Sequence, residues 1–160
     1  MTGTVNCNGS NAQTIAGYTY YIFKSNNAAG ASLLAASTMT TLTIGDNTSN
    51  SIFSDGGYQI TNTGTLNLLS GTFKLGGATA TTLPAFTTRN ISVGTTVEYA
   101  STASQSVSSA PSYANIVFSG ASTKTVAANL TIGGDLTISG GTLNLVTYIC
   151  LLYTSPSPRD

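Results

Sequence analysis

The chain has 160 residues, 6% of them charged, with five Lys/Arg balancing five Asp/Glu and no His. The basic residues Lys24, Lys74, Arg89, Lys124 and Arg159 are scattered, which excludes the basic stripe of a nucleic-acid interface. The absence of His excludes Ser-His-Asp and Cys-His catalysis within these residues. Counting gives 28 Thr, 20 Ser and 17 Gly against one Glu and three Lys. Such a chain lacks the residues that usually make a helix's polar face and is rich in those that suit a pleated surface, so it predicts an all-β fold. No apolar run approaches the ~20 residues that span a bilayer, so membrane insertion is not expected. Met1 is followed at once by Thr2-Gly3-Thr4, so no secretory signal is visible.

Along the chain, Thr4-Val5-Asn6-Cys7 through Gln13-Thr14-Ile15 opens a pattern that returns at Thr96-Val97-Glu98-Tyr99 through Gln105-Ser106-Val107. Between the two come an aromatic cluster, Tyr18, Tyr20, Tyr21 and Phe23, and the Ala-rich run 28–36, which reads as a short helix or an excursion loop. Leu42-Thr43-Ile44-Gly45 recurs as Leu130-Thr131-Ile132-Gly133, and Thr65-Leu66-Asn67-Leu68 as Thr142-Leu143-Asn144-Leu145. The matches keep their order at offsets of 92, 88 and 77 residues. They divide a repeat region, 1–149, into copies at 4–77 and 96–149 with a bridge at 78–95 that holds Pro84 and Arg89.

A finer rhythm lies inside the second copy. Ile116-Val117-Phe118, Leu130-Thr131-Ile132, Leu136-Thr137-Ile138 and Leu143-Asn144-Leu145 are strand-sized apolar or alternating triplets, the last three separated by Gly-rich corners. Three such sides make a coil of roughly 20 residues, with successive coils about 4.8 Å apart. The expected architecture is a parallel β-solenoid with Leu130, Ile132, Leu136, Ile138, Leu143 and Leu145 inward and Thr131, Thr137 and Asn144 outward. The alternative is an antiparallel β-sandwich with hairpins at the Gly turns.

The stretch VEYASTASQSV…SYANIVFSGASTKTVAANLTIGGDLTISGGTLNL, residues 97–145, resembles the repeats of large secreted or surface adhesin-like proteins of Bacteroidetes-type bacteria, which often leave by the type IX secretion system. Residues 4–77 resemble a divergent copy, with Cys7 at the place of the aromatic Tyr99. The resemblance implies a right-handed parallel β-helix fragment at the cell surface or outside it, with no catalytic residues to carry over. The segment 150–160 resembles a translated sequencing-adaptor read-through, so it is expected to be a non-native tail. Setting Cys150 aside with it leaves Cys7 a lone thiol.

Candidate chemistry is sparse. The acids Asp46, Asp55, Glu98 and Asp135 show no catalytic pairing, and Asp46 and Asp135 read as corner residues. No spacing suggests zinc, calcium or a phosphate cradle, so neither a metal nor a cofactor is expected. Sequons at Asn8, Asn47, Asn90 and Asn129 are what an Asn-, Ser- and Thr-rich chain produces by chance. The leading expectation is a non-catalytic structural or adhesive module whose partners are adjacent repeats of the parent chain and surface glycans or extracellular matrix. A carbohydrate-binding module is the alternative, with Tyr18, Tyr20, Tyr21 and Tyr113 as glycan contacts. An ice-binding solenoid ranks last, because Thr38-Met39-Thr40, Thr79-Ala80-Thr81 and Thr123-Lys124-Thr125 recur irregularly.

Overall fold

The computed structural model describes residues 3–61, 64–146 and 150–152. The chain winds as a right-handed parallel β-helix of about 7 turns. The first coil carries β1 (Thr4–Cys7) and β2 (Gln13–Ile15), the second β3 (Thr19–Ser25) and β4 (Ala31–Leu33), and the third β5 (Ser37–Ile44) and β6 (Ser51–Ser54). The fourth carries β7 (Ile60–Thr61), β8 (Thr65–Leu68) and β9 (Gly71–Leu75), and the fifth β10 (Thr88–Ile91) and β11 (Thr96–Tyr99). Two three-strand coils follow, β12 (Gln105–Val107), β13 (Ser112–Tyr113) and β14 (Asn115–Phe118), then β15 (Thr123–Val126), β16 (Leu130–Ile132) and β17 (Leu136–Ile138). β18 (Thr142–Asn144) and β19 (Cys150–Leu152) start another.

Every ladder is parallel, which rules out the sandwich. Sheet A stacks β1-β3-β5-β8-β10, with β7 added to β5, and sheet B stacks β2-β4-β6-β9-β11-β14-β17. The last coils add sheet C, β12-β15-β18, and sheet D, β13-β16-β19. Register partners lie from 18 residues apart (Thr4 to Ile22) to 24 apart (Thr72 to Thr96), around the expected coil length. The three motif pairs fall in different sheets: Leu42–Ile44 lies in sheet A and Leu130–Ile132 in sheet D.

Alternation along each strand decides what faces inward. In sheet A, Phe23, Leu42 and Leu66 form one fully buried column, and Ile44 and Leu68 another. In sheet B, Phe53, Phe73, Val97 and Ile116 continue the core. Rings stack through it: Tyr20 on Phe23 at 5.2 Å, Phe23 on Phe53 at 5.5 Å and Phe53 on Phe73 at 5.8 Å. Close corners hold the coils in register. Gly71 sits at φ 91°, and a Cβ there would strike the Ser51 backbone.

Two expectations need correction. The run 28–36 contains no helix: Ala31–Leu33 pairs with β2 and β6, and the ladder plus burial of Ala31 and Leu33 outweighs local propensity. Leu130 and Ile132 are fully buried as expected, and Leu136, Leu143 and Leu145 pack against the core, but Ile138 is 51% exposed. It lies in β17, the last strand of sheet B, with one neighbour only. β19 pairs with β16, so the ladder includes Cys150–Leu152; residues 153–160 lie outside the described residues.

Candidate functional site

The four tyrosines expected to touch glycan divide into two sets. Tyr113 stands in β13 beside Ile132 and is 2% exposed. Its hydroxyl donates to the Ser108 carbonyl at 2.5 Å and lies 2.8 Å from the Tyr99 hydroxyl, which accepts from the Ser108 N–H at 3.1 Å. These groups close a ring in which each hydroxyl donates once. Tyr113 is therefore a core residue and not a glycan contact, because its place in the strand points it inward. Burial pushes both phenols up, that of Tyr99 to about 12.

Tyr18, Tyr20 and Tyr21 do come together, at the edge of the first two coils. Tyr18 is 67% exposed, and it meets Tyr20 edge to face at 6.4 Å. The Tyr20 hydroxyl donates to the Ala16 carbonyl at 2.7 Å, and its ring rests on Phe23, so it is fixed on both sides. Val5, Tyr18, Thr19 and Tyr20 line an open cleft of about 510 Å³ there. Tyr21, exposed, stands on the neighbouring side with Val5 and Gly3. Burial, with smaller effects from Cys7 and Tyr18, pushes the Tyr20 phenol up. The Cys7 thiol is free, buried, and pushed up by that burial, so it is not a reactive thiolate.

A second group of polar side chains lies inside the corners. Asp55 is 1% exposed, and its carboxylate accepts from the Gly57 and Gly76 N–H groups at 2.9 and 2.7 Å and from the Thr81 hydroxyl at 2.5 Å. Gln105 reaches back across the stack and donates to the Leu75 and Thr81 carbonyls. The Lys124 ammonium donates to the Ser101 carbonyl at 2.7 Å and to Ser122 Oγ at 3.0 Å. Burial raises the Asp55 carboxyl against the three hydrogen bonds and lowers the Lys124 amine. Each of these groups answers a backbone group at a corner, which is a structural job.

The other acids are apart. Asp46 is exposed and accepts from Thr48 and Ser49 in a tight turn, which holds its carboxyl low. Asp135 sits at an exposed corner, and Glu98 pairs with Lys74 at 3.3 Å and accepts from Ser119 at 2.6 Å. Among the described residues no group of three or more His, Cys, Asp or Glu is arranged to hold a metal ion, and no helix is long and apolar enough to cross a membrane.

The Thr-x-Thr triplets do not share a face: Thr38 and Thr40 flank buried Met39 in sheet A, Thr123 and Thr125 flank buried Lys124 in sheet C, and Thr81 is itself buried. The outward columns that do align, Thr41-Thr65-Thr88 and Thr43-Asn67-Asn90 in sheet A, escape the sequence because their spacings of 24 and 23 residues are uneven. The burial of Lys124 was legible, since alternation in Thr-Lys-Thr-Val places it with Val126. The pairing of Tyr99 with Tyr113 was not, because nothing local links them. Comparison of the chain with protein-family models, curated proteins and solved structures finds no match.

Proposed function

We propose that the chain is a non-catalytic structural or adhesive repeat module of a secreted or cell-surface protein. The observation that carries this reading is continuity. Sheet B passes through seven coils on one unbroken parallel ladder, so the stack transmits length and load through backbone hydrogen bonds over about 29 Å, six strand spacings. Strands β2 and β17 close the two ends of sheet B, each with one neighbour. The surface is neutral and hydroxyl-rich, suited to contact through many weak hydrogen bonds. Single-molecule pulling from the two ends tests the load-bearing role. Stepwise rupture is expected, releasing about one coil of 18 to 24 residues per event. Collapse in one low-force event would overturn it.

A second reading, carbohydrate binding, rests on the Tyr18-Tyr20-Tyr21 edge, where one ring is fixed and two are exposed. Sugar rings stack on such faces. A glycan array should show selective binding that Tyr18→Ala and Tyr21→Ala each remove while leaving the circular-dichroism spectrum unchanged. Binding that survives both substitutions sinks this reading.

A further inference from the structure

Asn8 and Gly9 lie in the corner between β1 and β2, and Asn8 is the one asparagine of the sequence followed by glycine. Asn8 is exposed, and among the described residues no hydrogen bond holds its amide. A glycine leaves its own nitrogen unshielded and its backbone free to turn toward the preceding side chain. An exposed Asn-Gly pair can therefore close a ring on itself. The Gly9 nitrogen attacks Asn8 Cγ, and the side-chain nitrogen leaves as ammonia, taking the proton from Gly9. Water then opens the five-membered ring at one of its two carbonyls. Breaking the new bond leaves aspartate. Breaking the original peptide bond leaves isoaspartate, with the main chain routed through Cβ and Cγ. Water is the only co-reactant.

The attacking nitrogen is held. The Gly9 N–H donates to Gln13 Oε1 at 3.1 Å. That oxygen also accepts from Asn27 Nδ2 at 2.9 Å, and the same Nδ2 donates to the Asn11 carbonyl at 2.8 Å. Asn27 is fully buried in the second coil, where its Oδ1 accepts from the Ala29 and Gly30 N–H groups. Asn27 thus fixes Gln13, and Gln13 keeps the Gly9 nitrogen protonated and turned toward itself. The contact is close: a Cβ on Gly9 would meet Gln13 Cδ at 3.0 Å. Asp55-Gly56, which could close the same ring by losing water, is shut off. Asp55 is 1% exposed, its carboxylate accepts from Gly57, Gly76 and Thr81, and the Gly56 N–H donates to Ser54 Oγ at 3.1 Å. We propose that Asn8 is a self-modifying site that converts to aspartate and isoaspartate through the Asn8-Gly9 ring, and that Gln13 is the positioning residue that sets its rate. The product places a negative charge on the first coil of a chain whose formal net charge is zero. The proposal goes beyond the structural reading, and either can fail alone.

The test is peptide mapping by mass spectrometry, with isoaspartate detection, on the whole chain held in mildly alkaline buffer. Asn8 should convert ahead of every other asparagine, and Asn8→Gln should remove that first product. Gln13→Met deletes the acceptor at similar side-chain length and should speed conversion about fivefold, the release of one hydrogen bond of ordinary strength. Gln13→Glu keeps an acceptor for both Gly9 and Asn27 and should convert no faster than the wild type. In urea the wild type and Gln13→Met should convert at one rate, because neither then holds Gly9. Should Gln13→Met fail to fold by circular dichroism, the wild type decides alone, with conversion about fivefold faster in urea than in buffer. Earlier conversion of another asparagine, a folded Gln13→Met no faster than the wild type, Gln13→Glu as fast as Gln13→Met, or equal wild-type rates in urea and buffer would overturn the proposal.

Discussion

The coils before and after the 76–87 excursion solve the same packing problem differently. From the second coil to the fourth, sheets A and B face each other and the space between them is filled by Phe23, Leu42, Ile44, Phe53, Leu66, Leu68 and Phe73, all fully buried. In the sixth and seventh coils three sheets meet, the strands shorten to two to four residues, and the interior takes in Gln105, Lys124 and Tyr113, which pairs with Tyr99 of the fifth coil. A two-sided coil fills its middle with rings and aliphatics and keeps its buried polar side chains, Ser25, Asn27 and Ser51, at the corner between sheets A and B. A three-sided coil has an extra corner, and there Gln105 and Lys124 donate to the Thr81 and Ser101 carbonyls. Buried polar groups in this molecule therefore mark corners.

If that difference is real, the two halves should break in different ways. Phe53→Ala removes the middle ring of the two-sided core and should cost about 3–5 kcal/mol, the largest loss of any substitution considered, by urea unfolding. A loss under ~1 kcal/mol would mean that the rings do not carry the stack. Gln105→Leu tests the other half. It adds apolar volume to a buried site, yet it should destabilise by about 1–3 kcal/mol, because the Thr81 carbonyl loses its donor and the Ser101 N–H its acceptor. A neutral or stabilising outcome would end the argument that corners need polar partners. Tyr113→Phe keeps the ring's volume and deletes one hydroxyl from the closed circuit, so about 1 kcal/mol is expected.

Much of this architecture can be read from the amino acids, and what cannot has identifiable causes. Alternation in Leu130-Thr131-Ile132 and the Gly corners around it specify short parallel rungs and which side chains enter the core. The change from two sides to three is hidden, because a strand followed by a corner looks the same in every sheet. Leu-Thr-Ile-Gly occurs once in sheet A and once where sheet D meets its corner. The Ala-rich run 28–36 misleads for a different reason: its propensity is local, and β4 is held by β2 and β6 from other coils. At the candidate site, Tyr18 and Tyr113 look alike in sequence. A two-residue strand is too short to set the phase of alternation, so only the fold shows Tyr113 turned inward.

Acid titration gives the smallest effect and separates the two kinds of carboxylate. Asp55, buried between the halves, has its carboxyl raised by desolvation, so the folded state holds that proton more tightly than the unfolded chain does. Its contribution to stability therefore grows as pH falls from neutral through the raised value. Asp46, in its exposed turn, is held low by the Ser49 and Thr48 donors, so its contribution is present above the ordinary carboxylate range and disappears as pH falls through the lowered value. Together they predict a stability that rises as Asp55 protonates and falls as Asp46 does, in that order as pH drops. Asp55→Asn keeps an acceptor for Gly57 and Gly76 and can still pair with the Thr81 hydroxyl, but it cannot titrate. It should flatten the acid-side rise while leaving the later fall in place. An unchanged rise in Asp55→Asn would mean that another group drives it, and that the buried corner carboxylate is not what distinguishes the junction between the two halves.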